Sequence, residues 1–178
     1  AYAKYPNDDD RLQKVFREIK LPDYGARSTI MQMDKDLTNF KRDRHKLEYV
    51  DYFNSFLEMK NPPPLKYLFI DEAQDLSAHQ WMVVDMIQEI SKPIETYVAG
   101  DDDQAIFRWA GADIEHFIAM AKNDANTIIP LKQSYRIPIS VHNLATKMAQ
   151  SISNRIDKSY MPRDEEGKRK VLNFRPLN

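Results

Sequence analysis

The sequence contains no cysteine and only four glycines in 178 residues. The first absence excludes disulfides, thiolate zinc sites and cysteine nucleophiles, and is compatible with a reducing compartment. The glycines stand at 25, 100, 111 and 167, so the chain holds no G-x-x-x-x-G-K-[ST] phosphate-binding loop. No run approaches the roughly 20 apolar residues of a membrane span, and the opening AYAKYPNDDD lacks the marks of a signal peptide. A net charge of −1 speaks against a generally basic nucleic-acid coat, although a local groove does not show in that sum. What is present, 42% hydrophobic and 30% charged residues, is the balance of a folded soluble domain. The length suits one core, or one domain and the beginning of another. A soluble, cytoplasmic protein is expected.

The first sixty residues carry helical periodicity. Leu12, Val15, Phe16 and Ile19 recur at helical spacing behind the acidic run 8–10, with Pro22 beyond the end. Tyr49, Phe53, Phe56 and Leu57 share one face of a second helix, stopped by Pro62, Pro63 and Pro64. Between them lies the basic cluster KRDRHK, 41–46, for which a solvated helix face is the commoner role and nucleic-acid contact the alternative.

From Pro64 onward, short apolar runs alternate with helical ones. The runs are Tyr67–Ile70, Thr96–Ala99, Thr127–Leu131 and Val171–Phe174, each too short for a helix and without strict alternation. They read as strands buried on both faces. Ser77 and Gln80 form a capping-box pair ahead of a stripe of Val83, Met86, Ile87 and Ile90. Asp113 can cap a helix carrying Ile114, Phe117 and Ile118, and Pro138 opens another with Val141, Leu144, Met148 and Ile152. Strand–helix alternation implies an α/β fold with a parallel sheet covered by helices and preceded by a helical segment. Charge density rises near Asn154 through RIDKSYMPRDEEGKRK, a candidate boundary.

In parallel α/β folds ligands bind beyond the carboxyl ends of the strands. Asp71-Glu72-Ala73-Gln74-Asp75 follows the first run, Gly100-Asp101-Asp102-Asp103-Gln104 the second, and Lys132-Gln133-Ser134-Tyr135-Arg136 the third. Acid, amide and arginine at one edge suit phosphate chemistry, in which carboxylates hold Mg²⁺ and handle water and arginine neutralises developing charge. Composition alone would favour ordinary solvated loops.

The wording of these blocks is more specific. FIDEAQD, then VAGDDDQAIFRWAGAD, then LKQSYRIP resemble motifs II, III and IV of the UvrD/Rep family of superfamily 1 DNA helicases, in order and with suitable spacing. KLEYVDYFNSFLE also resembles the segment that precedes motif II, so the resemblance runs from about Lys46 to Phe174. It implies a partial RecA-like (P-loop NTPase) motor domain working with ATP and Mg²⁺. Asp71 would hold the metal and Glu72 would activate the attacking water. Gln104 would report the γ-phosphate, Arg136 would contact it, and Tyr135 would stack on the adenine. Phe107 and Trp109 would stack on bases of single-stranded DNA, each worth about 1–3 kcal/mol, with Arg108 a phosphate contact or an exposed side chain. Core packing is the alternative for both aromatics. Asp101, Asp102 and Asp103 suit turn and structural hydrogen-bonding roles. His45, His79, His116 and His142 have no metal-ligand spacing and suit surface or packing roles.

The missing phosphate loop is the main departure from the family, and Ala110 stands where many relatives carry arginine. The resemblance therefore implies an internal piece of an ATP-dependent helicase moving 3′ to 5′ on single-stranded DNA and at single-strand/duplex junctions. Residues 1–62 would belong to the insertion in the first motor domain, 63–153 to the C-terminal part of that domain, and 154–178 to the start of the second. Its partners would be DNA and the remaining N- and C-terminal parts of the helicase. The location would be cytoplasmic, on the nucleoid if bacterial or viral, and the piece alone would be inactive. Two alternatives are a non-catalytic helicase-like binding module and a metal-dependent nuclease built on Asp71, Glu72 and Asp75.

Overall fold

The computed structural model describes residues 11–18, 26–168 and 170. The acidic run 8–10, Pro22 and the expected strand at 171–174 lie outside them. The chain divides into two compact units between Phe117 and Ile118, so the charge-rich stretch near Asn154 falls inside the second unit.

The first unit opens with α1 (Arg11–Glu18), α2 (Ala26–Asp43) and α3 (Tyr49–Met59), the first and third where helical periodicity predicts them. Phe16 is the buried anchor of α1. The basic cluster closes α2, and its first member is not free for nucleic acid. Lys41 Nζ lies 3.0 Å from Glu48 and 2.9 Å from Asp51, while Asp51 Oδ2 accepts the Glu48 N–H at 2.8 Å. One cation thus ties the last turn of α2 to the first turn of α3, where acidic side chains also meet unpaired backbone N–H groups. Lys60 ends α3 in the left-handed conformation, ahead of the prolines.

Strand β1 (Tyr67–Ile70) pairs in parallel with β2 (Glu95–Val98), Tyr67 opposite Glu95 and Ile70 opposite Val98. Between them runs α4 (Ala78–Ser91), which packs on α3. Its start is the expected capping box: Gln80 Oε1 accepts the Ser77 N–H at 2.8 Å and Ser77 Oγ accepts the Gln80 N–H at 3.3 Å. Trp81 and Met86 carry the buried side of α4, with Val83 and Ile87 half-buried and Ile90 exposed. α5 (Ile114–Ala121) follows, with Asp113 Oδ1 accepting the His116 N–H at 3.2 Å as a cap. Three histidines pack against rings: His79 near Phe53, His116 stacked on Trp81 at 4.3 Å, and His142 edge-on to Tyr160.

The structure corrects two expectations. β1 and β2 are not buried on both faces; exposure alternates along each, and Phe69, 72% exposed, stacks on Tyr97 at 4.9 Å on the open side. Nothing among the described residues covers this face of the two-stranded sheet, where Tyr67 is exposed as well. The run Thr127–Leu131 is not a strand either. Pro130 supplies no N–H to a ladder, and among the described residues no strand pairs with the run and Ile128, Ile129 and Leu131 are exposed. The strand forms next to it instead, as β3 (Gln133–Pro138), parallel to β4 (Met161–Arg163). In this second unit α6 (Ile139–Ala149) packs on both strands. Its first N–H groups are met by backbone carbonyls, Ile139 N to Glu165 O at 2.9 Å and Ser140 N to Glu166 O at 3.0 Å. Its apolar stripe of Val141, Leu144 and Met148 is exposed rather than covered.

The Lys41 clasp predicts a pH-dependent contribution to stability. The Glu48 N–H, and then Lys41, hold the Asp51 carboxyl below its ordinary 3.8, and Asp51 holds the Lys41 ammonium above 10.5. The stabilisation is therefore full between those values. It fades as pH falls through the lowered carboxyl value or rises through the raised ammonium value. Lys41→Met should cost about 0.5–1 kcal/mol at pH 7 in urea unfolding, with the difference from the wild type shrinking below pH 3.8.

Candidate functional site

The two strands of the first unit end in a shared backbone tie. Ala99 N donates to Ile70 O at 2.8 Å, and Ala73 N donates back to Ala99 O at 3.0 Å. This lays the turn that follows β1 alongside the turn that follows β2. Glu72 is left-handed (φ 50°, ψ 41°), a conformation that costs a non-glycine residue on the order of 1 kcal/mol or more. The reversal there starts the 3₁₀ turn Ala73–Asp75. Both carboxylates are exposed. Asp71 Oδ1 accepts the Glu72 N–H at 2.9 Å, while its Oδ2 carries no hydrogen bond among the described residues.

Beneath them lies Gln74, 1% exposed. Its Nε2 donates to Glu72 Oε2 at 2.7 Å and its Oε1 accepts the Asp101 N–H at 3.0 Å. Asp101 in turn orders the second turn: Oδ1 accepts the Asp103 N–H at 3.2 Å and Oδ2 accepts from Gln104 Nε2 at 2.6 Å. Asp102 is buried. These turn and structural roles agree with the sequence reading of the three aspartates. Gly100 is glycine because of a close approach. A Cβ there would lie 2.8 Å from Gln74 Oε1 and 2.9 Å from Phe117 Cζ.

The segment from Gly100 to Asp113 is fastened at both ends to the 71–77 turn. Gln74 holds one end; at the other, Asp113 N donates to Leu76 O at 2.8 Å and Ala112 bridges to Ser77. Between the fastenings a 3₁₀ turn, Arg108–Ala110, closes on Gly111, whose φ of 103° favours glycine. The turn displays Trp109, 85% exposed among the described residues. Phe107 is partly exposed and helps line a cavity of about 280 Å³ with Tyr49, Phe53, Asp75 and His79. Arg108 is ion-paired with Glu115, both side chains largely exposed.

Tyr135 and Arg136 belong to the second unit, on β3. They are consecutive yet both exposed, because the strand is irregular there. Ser134 Oγ accepts the Ile137 N–H at 3.1 Å and turns the backbone out of register. Among the described residues, no three His, Asp or Glu side chains form a group that can hold a metal ion. The three-carboxylate nuclease arrangement of Asp71, Glu72 and Asp75 is therefore not formed. Gln74 was not singled out from the sequence. Its only signal there was a place between acids, whereas its burial and two partners are tertiary facts.

Residues 16–125, more than half of the chain, match the UvrD/REP helicase N-terminal domain. The chain belongs to that family. It is 34% identical over 103 residues to the ATP-dependent DNA helicase PcrA of Bacillus subtilis, covering 57% of this chain and 14% of that protein. Against PcrA of Staphylococcus aureus it is 33% identical over 132 residues, 73% of this chain and 16% of the relative. A probable DNA helicase II homolog of Rickettsia felis is 32% identical over 125 residues, 66% of this chain and 19% of the relative. The chain thus spans less than a fifth of the length of these relatives. The UvrD/REP match contains both turns of the first unit and ends before Tyr135 and Arg136.

Gly100→Ala should press a methyl group against the Gln74 amide and the Phe117 ring. A loss of about 1–3 kcal/mol is expected in thermal or denaturant unfolding, the usual cost of overpacking. Unchanged stability would show that the two turns are not held together as described.

Proposed function

We propose that this chain is part of the motor of an ATP-dependent DNA helicase that travels 3′ to 5′ along single-stranded DNA. One observation carries the reading. The Gly100–Asp113 segment is hydrogen-bonded to the carboxylate-bearing turn and presents a solvent-exposed tryptophan a few residues later. Membership of the UvrD/REP family and relatives named as DNA helicases support it. The three sequence blocks then stand as motifs II, III and IV. Residues 1–62 belong to the insertion in the first motor domain, 63–153 to the C-terminal part of that domain, and 154–178 to the start of the second.

In this reading Asp71 offers the free oxygen of an exposed carboxylate to the Mg²⁺ of MgATP. Such sites need only one or two protein carboxylates, the phosphates and water supplying the other ligands. The bound ion supplies charge neutralisation on the phosphate oxygens. Glu72 accepts a proton from the attacking water through Oε1, its Oε2 being held by Gln74. Gln104 leaves Asp101 to meet the γ-phosphate. Arg136 stabilises charge on the transferred group, and Tyr135 stacks on the adenine. Trp109 and Phe107 stack on bases, and Arg108 exchanges Glu115 for a DNA phosphate. Because Gly100–Asp113 is fastened at both ends, a shift at Gln104 is passed toward Trp109, coupling hydrolysis to a step on the strand. Substrates are single-stranded DNA and its junctions with duplex, and the location is cytoplasmic or nucleoid-associated.

The full-length protein tests the chemistry. Glu72→Gln should lower the kcat of DNA-stimulated ATP hydrolysis at least about 100-fold, the lower end of the range for a general base, with ATP binding retained. Full activity in that variant would remove Glu72 as the base. Trp109→Ala should weaken single-stranded DNA binding by about 1–3 kcal/mol in fluorescence titration, leaving nucleotide affinity unchanged. The 178-residue chain alone, lacking a phosphate loop, should show no MgATP hydrolysis above buffer; robust turnover by it would overturn the reading.

A further inference from the structure

Glu72 and Gln104 are exposed on separate turns, yet one buried side chain joins them. The links run Glu72 Oε2, Gln74 Nε2 at 2.7 Å, then Gln74 Oε1 to Asp101 N at 3.0 Å, then Asp101 Oδ2 to Gln104 Nε2 at 2.6 Å. The polarity of the central amide is not ambiguous. A carboxylate only accepts and a backbone N–H only donates, so the Gln74 NH₂ must face Glu72 and its carbonyl must face Asp101. Few side chains can replace it. Glutamate would set an oxygen against the Glu72 carboxylate, asparagine is one methylene short, and an apolar residue would leave the Asp101 N–H unpaired. The space is also reserved, since Gly100 is where a Cβ would strike this amide.

Resting on the reading of Glu72 as the base, we infer that Gln74 is the positioning residue that orients Glu72 and couples it to Gln104. A flexible exposed carboxylate samples several rotamers, and only a few of them aim Oε1 at an attacking water. Holding Oε2 selects among these. The same amide is bonded to the backbone of Asp101, whose side chain holds Gln104. When Gln104 leaves Asp101 for a phosphate, the Asp101 turn loses one of the bonds that order it and shifts. Gln74 carries that shift to Glu72. Gln74 touches neither substrate nor the reacting atoms, and its effect is on alignment.

The test is made in the full-length protein with Gln74→Met, which keeps the volume and removes both hydrogen bonds. Gln74→Glu is the second variant; it keeps the acceptor for Asp101 and reverses the group facing Glu72. Steady-state ATP hydrolysis with single-stranded DNA should show kcat lower by about 10- to 100-fold in both, as for misplaced catalytic groups. KM for ATP should stay within about two-fold, since binding is untouched. Combined with Gln104→Ala, Gln74→Met should cost clearly less than it does alone, because the link is already cut. Rates are referred to the folded fraction, measured by titration with a fluorescent ATP analogue. Wild-type kcat in Gln74→Met, beside an inactive Glu72→Gln, would overturn the positioning role and leave the base assignment standing. Full activity in Glu72→Gln would remove the base assignment itself. Equal losses in kcat and affinity, additivity with Gln104→Ala, or failure of both Gln74 variants to fold would reduce Gln74 to a structural residue.

Discussion

The first unit depends on how one buried amide is satisfied. Gln74 has a donor and an acceptor on a single plane, and each meets a partner from a different turn. A polar side chain taken out of water costs about 1–3 kcal/mol for each group left unpaired. The two turns are therefore constrained to stay where they satisfy it. Other features follow from that constraint. The Ala73–Ala99 backbone tie brings the strand ends level, the left-handed Glu72 reverses the chain above the amide, and Gly100 leaves room beside it. Backbone strain at Glu72 persists because the surrounding hydrogen bonds over-determine it.

The arrangement also separates two kinds of surface on one short segment. At Asp101–Gln104 the chain is ordered by carboxylate–amide bonds next to Asp71 and Glu72. A few residues later it displays Phe107 and Trp109, the second with nearly all its ring in solvent. Exposing a tryptophan forgoes burial worth a few kcal/mol, and a bound base would restore that contact. The segment is fastened to the 71–77 turn at Asp101 and again at Asp113, so the proposed coupling would run through a stretch anchored at both ends. The open aromatic face of β1 and β2 is a different matter. It is the side of a two-stranded sheet that no described residue covers, in a chain that spans less than a fifth of its relatives.

Local rules made much of the fold legible in the sequence. Helical periodicity located α1 and α3, the Ser77–Gln80 pair and Asp113 located the starts of α4 and α5, and the YLFI run coincides with β1. Each of these signals is decided within a few residues by hydrogen bonding or hydrophobic spacing. The third run failed because an apolar stretch becomes a strand only if a neighbour supplies the ladder. At 127–131 none of the described residues does, and Pro130 withholds a donor. The strand moved to Gln133–Pro138, whose more polar wording concealed it.

The sequence by itself determined the UvrD/REP membership and the order of the residues proposed for the site. Asp71, Glu72, Gln104, Trp109 and Arg136 are recognisable by residue type and order along the chain, because motif wording is a one-dimensional property. It also determined that no phosphate loop lies within these residues, since four glycines at those positions cannot make one. Tertiary structure alone decided that Gln74 is buried, that it joins Glu72 to Asp101, that Lys41 is used in an ion-pair clasp, and that Trp109 stands in solvent. The reason is physical. Burial and hydrogen-bond partners depend on which segments the fold brings together, and residues 74 and 101 meet only because two parallel strands end side by side.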